Sequence, residues 1–156
     1  RNPLKAWGYQ KKNHTWKRAN SGITLIVNIQ QSRWGNWAYI NCGVYVHSLG
    51  ITESPKEYNC QIRFRLEVVV PGSAGKLVRG DYHDFSSVSP REPTTEDATE
   101  IGKALIEYGL PFLERFADTS RLRELIAERL AGSIDQACQF TRQLNDEQTS
   151  IVQSMS

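Results

Sequence analysis

Over residues 23–70 apolar and polar side chains alternate with a period of two. Ile23, Leu25, Val27 and Ile29 interleave with Thr24, Ile26, Asn28 and Gln30. Ile40, Cys42, Val44 and Val46 interleave with Tyr39, Asn41, Tyr45 and His47, and Ile62, Phe64, Leu66 and Val68 with Gln61, Arg63, Arg65 and Glu67. This pattern predicts three successive antiparallel strands, packed on one face and wet on the other. A basic strand at residues 11–18, carrying Trp16, precedes them through a turn at Asn20-Ser21-Gly22. Residues 4–9 read as the end of a helix stopped by Gly8, residues 31–37 as a connection centred on Trp34 and Trp37, and residues 80–88 as a last edge strand.

After Pro93 the periodicity becomes helical. Thr94, followed by Glu96 and Asp97, predicts an N-cap with acids in the first turn. Ala98, Ile101, Leu105 and Tyr108 form a buried stripe, with a stop at Gly109 before Pro111. Leu122, Leu125, Ile126 and Leu130 point inward from a second helix ended by Gly132, and Ser133 to Gln136 has capping-box spacing for a third helix that runs through Leu144. Strands first and helices afterwards is the order of an α+β domain: an antiparallel sheet of about four to five strands with the C-terminal helices packed on one face. A single domain over residues 1–156 is expected, with sheet at 10–90, helices at 94–145 and a polar, frayed tail at 146–156.

Composition narrows the class. Hydrophobic residues are 39% and charged residues 23%, as in ordinary globular proteins, and no apolar run reaches the roughly 20 residues of a membrane helix. The chain opens on Arg1 rather than Met, which leaves a preceding segment open. Cys42, Cys60 and Cys138 have no zinc-ligand spacing and read as buried, reduced thiols in a cytoplasmic protein, although adjacent strands could bring Cys42 near Cys60. The net charge of +2 hides a polarity: residues 1–90 carry 12 Lys and Arg against 5 Asp and Glu, residues 91–156 carry 7 against 12. A basic sheet half could steer an acidic partner.

Four segments carry a family resemblance: Gly8-Tyr9-Gln10-Lys11-Lys12 with Thr15-Trp16-Lys17-Arg18, Val27-Asn28-Ile29-Gln30-Gln31-Ser32-Arg33-Trp34, Ile40-Asn41-Cys42-Gly43-Val44, and Cys60-Gln61-Ile62-Arg63-Phe64-Arg65-Leu66. Together they resemble the bacterial domain-of-unknown-function family numbered 4304, over residues 4–70 and more weakly to Gly109-Leu110-Pro111-Phe112-Leu113. Where that pattern has a tryptophan-containing segment, this chain has Asp81-Tyr82-His83-Asp84-Phe85. The resemblance implies a bacterial cytoplasmic domain and brings no activity, cofactor or catalytic residue.

Strand parity gathers Asn28, Gln30, Ser32, Asn41, Arg63 and Arg65 on or beside one face, where arginine forks and amides suit an anionic or peptide group. The competing reading is a cross-strand polar network. Arg33, Trp34, Trp37 and Tyr45 complete the candidate binding set, the tryptophans as anchors at a tight turn. Trp16, Tyr39 and Tyr45 beside Lys11, Lys12, Lys17, Arg18 and Arg33 admit a nucleic-acid alternative. A hydrolase-type enzyme is the weaker alternative: Asp81, His83 and Asp84 with His47 lack a nucleophile, base and orienter in recognisable spacing. The leading expectation is a non-enzymatic protein-binding domain of immunity or regulatory type, with no cofactor, metal or membrane contact, whose partner is a protein of acidic character.

Overall fold

The structure is a computed structural model that describes residues 3–31, 33, 38–71 and 94–156. A one-turn helix, α1 (Pro3–Ala6), leads into a five-stranded antiparallel meander in chain order: β1 (Gln10–Lys12), β2 (Thr15–Asn20), β3 (Ile23–Gln31), β4 (Ala38–Val46) and β5 (Ile62–Arg65). Asn13 turns β1 into β2 with φ 55°, a left-handed conformation that asparagine tolerates. The register sets Lys17 opposite Ile26, Asn28 opposite Asn41, and Gly43 opposite Arg63.

The apolar parity of the strands faces the helices. Ile23, Leu25, Val27, Cys42, Val44 and Ile62 are fully buried there against Leu110, Leu113, Phe116, Leu122, Ile126 and Val152. Phe64 lies 5.3 Å from Phe112 and 5.1 Å from Phe140, ring centre to ring centre. The helices are α2 (Thr95–Ala104), α3 (Leu110–Glu114), α4 (Thr119–Leu130), α5 (Gln136–Phe140) and α6 (Asp146–Ser154). Thr94 caps α2, as the sequence predicts, and Asp97 returns the bond to the Thr94 N–H in a reciprocal capping box. No helix of the described residues is long and apolar enough to cross a membrane.

Several expectations are corrected. Gly109 does not stop a helix: α2 runs through a π turn at Leu105–Gly109 directly into α3. The widened turn gives Pro111 room where an α-helical carbonyl would clash with its ring. Gly109 is instead a packing glycine, since a Cβ there would lie 2.5 Å from Leu66 Cδ1. The arginine strand ends at Arg65, because Leu66 turns into the core through a 3-10 turn; Val68, expected inward, is 50% exposed. Leu130, also expected inward, is 61% exposed on the last turn of α4. Asp135 rather than Ser133 caps α5, accepting from Ala137 N–H and Cys138 N–H, and that helix stops at Phe140. The tail is not frayed: Asn145 and Gln148 cap each other across the start of α6, which buries Thr149 and Val152. The predicted edge strand at 80–88, with Asp81, His83 and Asp84, falls outside the described residues.

The second sheet face is only partly open. Residues 47–61, joining β4 to β5, fold back across it and bury Ile26, Tyr45 and Cys60 together. Tyr45 is 1% exposed, and its hydroxyl accepts from Thr52 N–H at 2.9 Å. Gly43 makes this close approach feasible, because a Cβ there would meet Cys60 Sγ at 2.5 Å. Cys42 and Cys60 therefore sit on opposite sides of the sheet, in separate apolar clusters, and all three cysteines are free and buried.

Candidate functional site, a cationic cleft on the open part of the sheet

Because Trp16 faces the core, its neighbours Thr15 and Lys17 take the other face of β2, beside Lys12 of β1. Asn28 and Gln30 continue this surface on β3, and Arg63 lies across it on β5. Ser54, Lys56, Glu57 and Tyr58 of the β4–β5 connection rise along one side. Together they line an open cleft of about 470 Å³.

Its electrostatics are lopsided. Among the described residues four cationic side chains, Lys12, Lys17, Lys56 and Arg63, line the cleft against one carboxylate, Glu57. That carboxylate is already engaged, accepting from Arg63 Nε at 2.8 Å and from Nη2 at 3.2 Å in a bidentate pair. Lys17 Nζ donates to the uncharged Ser54 Oγ at 3.1 Å. Partial burial, and then repulsion from Lys12 and Lys56, hold the Lys17 ammonium below the ordinary lysine range. The nearby Cys60 thiol is pushed up to about 12 by burial and is neutral at pH 7, so it supplies no counter-charge. An anion entering the cleft would meet converging ammonium donors without first displacing an ion pair from them.

The polar network that competes with this reading occupies the same face. Asn28 Nδ2 donates to Thr15 Oγ1 at 2.9 Å, and Asn41 Nδ2 donates to Gln30 Oε1 at 3.0 Å. Arg65 stacks its guanidinium 4.2 Å above the Tyr39 ring. His47 Nε2 lies 2.8 Å from Thr24 Oγ1 and packs edge-on against Tyr45. Among the described residues no group of three His, Cys, Asp or Glu could hold a metal ion.

A family model for the domain of unknown function DUF4304 matches residues 1–115. The chain belongs to that family. Among curated proteins and solved structures, nothing matches it. Within this DUF4304 chain, the structure brings Asn28, Gln30 and Arg63 of the expected set together in the cleft. Asn41 is 7% exposed beneath Gln30, Tyr45 is sealed under the connection, Arg65 lies over Tyr39, and Arg33 is exposed outside the cleft. Ser32, Trp34 and Trp37 lie outside the described residues. The sequence-based set lacks Lys12 and Lys17, whose parity with Thr15 was a readable signal. It also lacks Ser54, Lys56 and Tyr58, which reach the cleft only through the fold of the connection.

Proposed function

We propose that this DUF4304 chain is a non-catalytic recognition domain that seats an acidic segment of a partner protein in the cationic cleft. The observation that carries this reading is the convergence of Lys12, Lys17 and Lys56 on a cleft where the one carboxylate among the described residues is held by Arg63. Acidic side chains complete this charge pattern, which favours both association rate and specificity. Protein rather than nucleic acid is favoured by the aromatic side chains. Trp16 faces the core, Tyr45 is buried and Tyr39 is covered by Arg65; among the described residues Tyr58 is the one ring that lines the cleft, with Lys56 Nζ 5.6 Å from its centre, and a single ring falls short of the row of stacked bases that single-stranded nucleic acid uses. Three buried, free thiols suit a reducing cytoplasm. Action by occupying or masking an acidic surface, as a regulatory or immunity protein does, follows from this mode of binding.

The test is fluorescence anisotropy with a labelled oligoglutamate peptide, against the wild type and Lys17→Glu/Lys56→Glu. The double reversal changes one exposed side chain, Lys56, and one half-buried side chain, Lys17, and circular dichroism verifies that it folds. Affinity should fall at least about tenfold. Equal affinity, or tighter binding of a labelled single-stranded oligonucleotide with a steep salt slope, would overturn the reading.

A further inference from the structure

Beside the 470 Å³ cleft lies a second hollow of about 290 Å³, and among the described residues the two share only Lys17 and Ser54. The 3.1 Å hydrogen bond from Lys17 to Ser54 is thus the partition between two hollows that run along the same sheet face. We propose that the acidic group recognised here is a phosphomonoester dianion on an extended peptide segment, seated at this partition with Lys12 and Lys56 as flanking cations. This rests on the reading of the cleft as an acid-recognition site.

Stoichiometry favours the dianion over a carboxylate. A single carboxylate brings one charge and two oxygens to the three lysines of the cleft. A phosphoserine brings close to two charges at pH 7 and three acceptor oxygens, one for each ammonium. The Ser54 hydroxyl can turn from accepting the Lys17 proton to donating toward a phosphate oxygen, so opening the partition leaves neither group without a partner. Glu57 does not compete, because Arg63 engages both of its oxygens. The two hollows give the chain on either side of the phosphorylated residue a place to lie. The second hollow is lined by Glu53 and by Arg18, whose guanidinium Glu114 already holds at 2.6 Å, so Glu53 sets the preference on that side and a neutral or basic residue is expected there.

Two labelled peptides of one sequence, with central phosphoserine or central glutamate, are titrated into the wild type, Lys17→Gln and Ser54→Ala, with inorganic phosphate as competitor. The phosphopeptide should bind the wild type about tenfold or more tighter than the glutamate peptide. Lys17→Gln should erase that preference and Ser54→Ala should weaken it. The preference should also shrink below about pH 6 as the phosphate takes up its second proton. Equal affinity for both peptides would overturn the phosphate assignment and leave the acid-recognition reading standing. Failure of both peptides to bind would overturn both. Inorganic phosphate that binds as tightly as the phosphopeptide would assign the site to a free anion and overturn the extended segment.

Discussion

Gly43→Ala tests whether the β4–β5 connection is seated on the sheet as a fixed wall of the cleft. The added Cβ would lie 2.5 Å from Cys60 Sγ and 3.0 Å from Cys60 Cβ. Ordinary nonbonded carbon contacts lie at about 3.5–4.0 Å, so the connection must lift by on the order of 1 Å. Overpacking of this kind costs about 1–3 kcal/mol. At about 2–4 °C per kcal/mol for a chain of this size, a 2 kcal/mol cost lowers Tm by about 4–8 °C. The lift also carries Ser54 and Lys56 away from Lys17, so the oligoglutamate affinity should fall together with stability. Removing the sulfur relieves the clash. Measured by urea unfolding under reducing conditions, Gly43→Ala in a Cys60→Ala background should cost less than in the wild type, with a coupling of about 1 kcal/mol or more. The rescue is partial because the Cβ contact remains. A Gly43→Ala protein with wild-type stability, or a cycle that is additive within error, would refute the seating of the connection against β4.

Burial pushes the thiols of Cys42 and Cys60 up to about 12 from the ordinary 9.0, and burial raises the Tyr9 hydroxyl as well. A folded-state pKa above the unfolded one means that the native state holds its proton longer. This contribution is therefore complete below about pH 9 and is lost as pH rises from 9 toward 12. The urea midpoint should fall steadily above pH 9, and a thiol reagent should label the cysteines only after unfolding; a flat midpoint or rapid native labelling would contradict the burial. Gln143→Ala tests the edge of the sheet, because the Gln143 amide accepts from Arg63 N–H at 2.9 Å and donates to Arg63 C=O at 2.8 Å. Its loss should cost about 1–2 kcal/mol and promote concentration-dependent self-association seen by light scattering. A variant as stable and monodisperse as the wild type would show that the edge needs no cover.

The sheet was legible because period-two alternation reports directly which face is packed: Ile23, Leu25, Val27, Cys42, Val44 and Ile62 are all buried as the pattern requires. It failed where a polar-parity residue is covered by something distant in sequence. Tyr45 has the parity of an exposed residue, but the returning connection buries it, and no local periodicity encodes a loop's path over a sheet. The helical half misled in two ways. Gly109-Leu110-Pro111 carries a stop signal, yet a π turn absorbs the proline and Leu66 uses the missing side chain. The polar composition of the last residues suggested fraying, but Asn145 with Gln148 is an N-cap signal that outweighs it once Val152 has a core to enter. The cleft was half legible. Asn28, Gln30 and Arg63 follow from strand parity, whereas Lys56 and Ser54 come from the connection.

The family match ends at residue 115, but the core that supports the cleft does not. Leu122, Ile126, Cys138 and Val152 from beyond that point are fully buried against the sheet. They leave the opposite face as the one on which a ligand can lie. The same helical segment also reaches the cleft through a chain of contacts. Gln143 pairs with the backbone of Arg63 on the edge strand, the Arg63 side chain grips both oxygens of Glu57, and Glu57 belongs to the connection that carries Ser54, Lys56 and Tyr58. With its arginine half in solvent, although its carboxylate is only 11% exposed, the Arg63–Glu57 pair contributes modest stability, about 1 kcal/mol. Its consequence is positional and electrostatic: it fixes the wall and neutralises the one carboxylate that would otherwise satisfy the lysines. Charge reversal of Arg63 would therefore release Glu57 toward Lys17 and Lys56 as well as remove a cation. A loss of acid binding in that variant would not separate the two effects, whereas substitution of Lys12 or Lys56 keeps both the Arg63–Glu57 pair and the Lys17–Ser54 bond and reports on the cations alone.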